Sequence, residues 1–77
     1  MTPEREGELK GRIALFEEVI AGYKRAHEEM IRRRRGAADH VMVELDERIE
    51  VNVRSVKCFE RGLTEVRDTS KREESQG

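Results

Sequence analysis

Apolar or semi-apolar residues recur in this chain at alternating steps of four and three. They run as Leu9, Ile13, Phe16, Ile20, Tyr23, His27 and Met30, and again as Met42, Leu45, Ile49, Asn52, Val56, Phe59, Leu63 and Val66. That rhythm is the repeat of one face of an α-helix. The two stripes are out of phase. Carried straight on, the first would pass through Arg34 and Ala37 to Val41, whereas the second begins at Met42. One unbroken rod cannot hold both stripes on one side, and the slip coincides with Gly36. The pattern therefore predicts an all-α fold, an antiparallel helical hairpin of two long helices.

The ends of the first helix are well signalled. Thr2 can cap it, Pro3 fits the first helical position, where no N–H is needed, and Glu4, Glu6 and Glu8 favour the positive end of the helix dipole. The expected span is residues 3 to 35, roughly 50 Å at 1.5 Å per residue. Gly7, Gly11 and Gly22 each cost up to about 1 kcal/mol relative to Ala in an exposed helix, so the first two turns are expected to fray. Arg32, Arg33, Arg34 and Arg35 fall in the last turn, where cations meet the negative end of the dipole. Gly36 is the natural residue for a left-handed helix terminus, and Asp39 can cap the next helix. The corner is placed at residues 36–39 and helix two at residues 40 to 68, making residues 1–68 one hairpin domain. The polar segment TSKREESQG, residues 69–77, carries no stripe and is expected to be disordered.

Residues 41–56 admit a rival reading. Val41, Val43, Leu45 and then Ile49, Val51, Val53 alternate with period two, as a β-hairpin would. Its turn would have to be Asp46-Glu47-Arg48, which offers no Gly or Asn for a left-handed position, and it would leave Phe59, Leu63 and Val66 without a common role. Length and continuity favour the helix, at the cost of leaving Val43, Val51 and Cys58 pointing away from the main stripe.

A helical hairpin of 77 residues is short of core. With 43% charged residues, 4% aromatic and no Trp, it cannot build a large core alone, and a domain of this size rarely reaches more than about 3–5 kcal/mol unaided. Val19 and Ala26 widen the first stripe on one side and Ile31 on the other, a width that suits a helix touching two neighbours. Self-association into a homodimeric, coiled-coil-like four-helix bundle is the expected remedy, with the fifteen stripe residues as its interface. Charge suggests the orientation: residues 24–35 carry six Lys/Arg and two Glu, residues 1–9 one Arg and three Glu. A basic tip beside an acidic open end favours antiparallel docking of two hairpins, subject to screening.

Functional classes separate on the same evidence. Sixteen Lys+Arg against seventeen Asp+Glu give a net charge of −1, with no global attraction to nucleic acid or anionic membrane. Arg32 to Arg35 could contact phosphates or an acidic protein, but no aromatic residues are interleaved for base stacking, and a helix-end role uses the same residues. His27 and His40 lack a metal-ligand spacing; His27 is better read as an imidazole paired with Asp46 or Glu47. Asn52 can fix register or oligomer state, or simply meet the Tyr23 hydroxyl or water. Cys58 is the only cysteine, which fits a reducing compartment and an inert thiol. Paired acids such as Glu17/Glu18, Glu28/Glu29 and Glu73/Glu74 diverge by about 100° on a helix and suit a solvated face better than acid/base catalysis. No phosphate loop, nucleophile elbow or apolar stretch of membrane-spanning length occurs, and the N-terminus lacks the apolar region of a signal peptide. The expected protein is a cytoplasmic, non-enzymatic interaction or regulatory module without cofactor or metal. Its partners are itself and another protein, with nucleic acid the alternative and no membrane contact.

Overall fold

The computed structural model describes residues 2–76, and these form two antiparallel α-helices, α1 (Pro3–Arg35) and α2 (Asp39–Gln76), packed against each other along their length. The hairpin measures 57 × 15 × 12 Å, and its radius of gyration of 17.4 Å exceeds the ~11 Å of a compact domain of this length. A rod of this shape has little interior. Among the described residues the buried apolar side chains are Leu9, Ile20, Leu45 and Leu63, with Asn52 the buried polar one. The other stripe residues, Ile13, Phe16, Tyr23, His27, Met30, Met42, Ile49, Val56, Phe59 and Val66, are half-buried.

The start of α1 follows the sequence reading: the Thr2 hydroxyl oxygen accepts a hydrogen bond from the Arg5 N–H at 3.2 Å, with Pro3 in the first turn. The corner differs from it. Gly36 has φ −113° and ψ 12°, and no described residue has positive φ, so the expected left-handed terminus is not adopted. The turn closes instead through the Ala37 N–H donating to the Arg34 carbonyl at 3.3 Å, a tightened last turn that any residue can make. Nor is Asp39 the cap. It is the first residue of α2, and the Ala38 carbonyl accepts from the Val41 and Met42 N–H groups at 3.0 and 2.9 Å. Its carboxylate contributes as a first-turn charge at the dipole's positive end.

Residues 41–56 are helical, which removes the β-hairpin alternative. The alternating Val43 and Val51 that had suggested a strand are 59% and 61% exposed on the outside of α2. The expectation of a disordered tail from residue 69 is corrected, because α2 continues to Gln76; Gly77 lies outside the described residues. One feature absent from the apolar pattern supports that extension. Arg5 Nε lies 3.1 Å from both carboxylate oxygens of Glu73, tying the end of α2 to the start of α1. Within that segment the Thr69 and Ser75 hydroxyls find acceptors in the carbonyls of Glu65 and Lys71, four residues back along the helix, which satisfies the hydroxyls without strengthening the helix. The same anchor acts on the first turns of α1, where glycines had suggested fraying, and Leu9 there is 2% exposed.

Candidate interaction surfaces

The register of the hairpin is set by an aromatic and polar layer near its middle. Tyr23 stacks on Phe59 with ring centroids 5.5 Å apart and planes at 30°, and Phe16 meets the same ring at 6.3 Å and 59°. Offset and tilted ring pairs of this kind contribute about 0.5–1.5 kcal/mol beyond the area they bury. Gly62 permits the approach: a Cβ there would lie 2.9 Å from Phe16 Cε1. Asn52, 6% exposed, donates from Nδ2 to the Tyr23 backbone carbonyl at 3.1 Å, and its Oδ1 is buried without a hydrogen-bond partner. The partner is thus the Tyr23 main chain and not its hydroxyl. One polar group fixes one helix to the other at one register.

His27 is not where the sequence reading put it. It lies with Lys24, Asn52, Val53, Val56, Lys57 and Glu60, about two turns of α2 away from Asp46 and Glu47, and no hydrogen bond or ion pair to it is formed among the described residues. Asp46 is held by Arg34 instead, whose Nε donates to Oδ1 at 2.7 Å. That hydrogen bond, and then the Coulomb attraction, raise the Arg34 pKa above its ordinary value; Glu73 does the same for Arg5.

The two seams between the helices differ in kind. One, lined by His27, Val53 and Val56, is bridged by Lys24 to Glu60 at 3.7 Å, and farther along by Arg67 to Glu17 at 2.8 Å. The other opens into a groove of ≈420 Å3 lined by Tyr23, Met30, Glu47, Arg48, Val51 and Asn52, with no ion pair across it among the described residues. Beside this groove on α1, Val19, Gly22 and Ala26 form a shallow apolar patch with Tyr23. Leu15, four residues before Val19 on the same helix face, is 63% exposed. The charged seam was readable from charges spaced seven apart, Glu17 with Lys24 and Glu60 with Arg67. The roles of Arg48 and Val51 required the register.

The arginine run is less basic in three dimensions than in sequence. Arg33 pairs with Glu29 at 3.2 Å and Arg34 with Asp46, while Arg32 and Arg35 have no ion-pair partner among the described residues. Folding α2 back beside α1 brings Asp39, Glu44, Asp46 and Glu47 to the tip, so that residues 28–48 together hold five Lys/Arg and six Asp/Glu. The charge contrast between tip and open end, inferred from α1 alone, is lost in the hairpin. With it goes the argument for antiparallel docking. Cys58 is exposed and unpaired on α2, no described helix is long and apolar enough to cross a membrane, and no three His, Cys, Asp or Glu of the described residues gather as a metal site would require. No protein-family model matches the chain, and neither a curated protein nor a solved structure matches it.

Proposed function

We propose that this chain is a small helical-hairpin interaction module that self-associates and, as a regulatory protein, presents the outer surface of the assembly to another protein. The observation that carries the reading is under-coverage. A 77-residue chain buries only Leu9, Ile20, Leu45 and Leu63 among its described apolar residues, and leaves a groove with Tyr23, Met30 and Val51 open along one seam. At about 25 cal/mol per Å2 of apolar surface removed from water, covering that groove stabilises the molecule. The exposed free thiol of Cys58 fits a cytoplasmic, reducing setting. No catalytic group is assigned to the chain in this reading: among the described residues polar side chains pair as surface ion pairs and helix hydrogen bonds.

Size-exclusion chromatography with light scattering, over a hundredfold range of concentration and alongside circular dichroism, tests it. The expected result is a dimer that dissociates on dilution with loss of helicity. A well-folded monomer at every concentration would refute self-association.

The second reading, nucleic-acid binding through the tip, rests on the exposed and unpaired Arg32 and Arg35. A fluorescence-anisotropy titration with duplex DNA and RNA at two salt concentrations separates the two. Binding that weakens steeply with salt supports the second, and none at low salt removes it.

A further inference from the structure

We propose that a second copy of this chain docks on the groove face with its tip beside the first copy's tip, the two copies related by a two-fold axis parallel to the helices. The proposal rests on the self-association reading and adds to it the face used and the orientation.

The face is defined by what it lacks. Leu15, Val19, Gly22 and Ala26 share one side of α1, and Val51, Ser55, Cys58 and Gly62 share the adjoining side of α2; none is charged. The opposite seam is closed by its own ion pairs, so the second copy has one uncharged side to occupy. The whole molecule spans 57 Å by 15 Å in that view, about 850 Å2 in projection and close to the ~800 Å2 per partner of a standard stable interface; the uncharged stretch from Leu15 to Ala26 is the middle ~17 Å of that length, with charged residues on either side of it.

The orientation follows from symmetry and charge. A two-fold axis along the helices keeps every residue at its own height, so the register within one hairpin also fixes which residues meet between copies. Phe16 against Phe59 and Tyr23 against Asn52 define that register. Extended to the neighbouring copy, it sets Arg12 beside Glu65, Glu29 beside Arg48 and Arg33 beside Glu44, each within about 3 Å along the axis at 1.5 Å per residue. Opposite charges meet three times, and the symmetry doubles each pair. Glu44, Arg48 and Glu65 have no ion-pair partner in their own chain among the described residues, whereas Arg12 pairs with Glu8 and Arg33 with Glu29 in theirs, so the contacts between copies extend those pairs. Between the charged ends, large side chains meet small ones: Leu15 falls level with Gly62 of the other copy, and Val51 with its Ala26. An antiparallel copy centred midway between Leu15 and Ala26 would set Arg12 level with Glu29 and Glu8 with Arg33, but also Glu44 level with Glu65 of the other chain, a like-charge contact that the parallel copy lacks. The tip tolerates the parallel arrangement because its arginines are matched there by the acids of α2.

The orientation is read by labelling the tip. In the full chain carrying Cys58→Ser and Gly36→Cys, the new side chain has open space and an allowed backbone. A nitroxide attached to it reports the distance between tips by electron double resonance. Tip-to-tip docking gives a distance below about 30 Å, whereas antiparallel docking gives about 45 Å or more at 1.5 Å per residue over the length of the rod. A dimer with the long distance overturns this orientation and leaves self-association standing; a chain that light scattering shows to be monomeric overturns both. Charge reversal supplies the second arm. Arg33→Glu is expected to weaken the dimer by about tenfold across its two symmetric pairs, and adding Glu44→Arg to restore it. Absence of the loss, or of the restoration, counts against the pairing.

Discussion

Asn52→Leu is expected to stabilise the protein, and the size of the effect can be worked from the geometry of one side chain. Asn52 is 6% exposed; it makes one hydrogen bond, to the Tyr23 carbonyl, and holds Oδ1 buried with no partner. Replacing it removes a hydrogen bond of net value about 0.5–1.5 kcal/mol. It also removes a buried acceptor whose desolvation costs about 1–3 kcal/mol and adds apolar burial of about 1.5–3 kcal/mol. The extra volume of leucine has somewhere to go, since Asn52 borders open grooves on both seams. The Tyr23 carbonyl, inside α1, remains within the helical hydrogen-bond ladder. Gains and losses overlap in part, and a net stabilisation of about 2 kcal/mol is expected, which for a domain of this size raises Tm by roughly 10 °C. Thermal and urea unfolding followed by circular dichroism, with both proteins at the same concentration, measure it. An unchanged or lower Tm would refute the reasoning, because the Tyr23 bond would then outweigh the unpaired oxygen and the apolar burial combined.

Other substitutions probe the remaining supports. Asn52→Asp places a carboxylate in the same buried position, which raises its folded-state pKa above the unfolded value of about 3.9; stability should be fully present below that value and be lost as pH rises through the folded pKa, as urea unfolding at a series of pH values will show. Phe59→Ala removes the ring that meets both Tyr23 and Phe16 and is expected to cost about 3–4 kcal/mol, most of what a domain of this size holds, so that helicity at 37 °C is largely lost. Gly11→Ala has open space and should gain up to about 1 kcal/mol, whereas at Gly62 the same change drives a Cβ to 2.9 Å from Phe16 and the packing strain offsets the helix gain; equal rises in Tm for both would contradict the close approach. Truncation after Asp68 removes Glu73, the partner of Arg5, and should lower helicity by more than the residues deleted and reduce hydrogen-exchange protection in the first turns of α1.

The legible parts of this molecule are those that depend on neighbours along the chain. Thr2 and Pro3 announced the start of α1 because a cap acts on the N–H groups of the turn that follows it. The stripe from Leu9 to Met30 and its out-of-phase successor from Met42 to Val66 announced two helices facing each other because side-chain direction in a helix repeats with its pitch. Where contacts bridge distant positions the sequence reading fell short. Residues 69–76 looked like a tail because their support includes the Arg5 to Glu73 pair, separated by 68 residues. His27 was assigned the wrong neighbours because only the level along the axis was counted, whereas side chains lean toward the N-terminus of their own helix and, on antiparallel helices, meet residues farther along α2.

Taken alone, then, the sequence determined that the chain makes two rods and bends between them at Gly36, since helical periodicity and its phase slip are local properties of covalent order. It also determined that apolar residues are too few for a large core. Only the tertiary structure decided which acids stand beside the arginines, that Oδ1 of Asn52 is left without a donor, and which of the two seams stays open. Those follow from the rotation and offset of one helix against the other. Packing of Phe16, Tyr23 and Phe59 above Gly62 sets that offset through contacts between residues far apart in the chain.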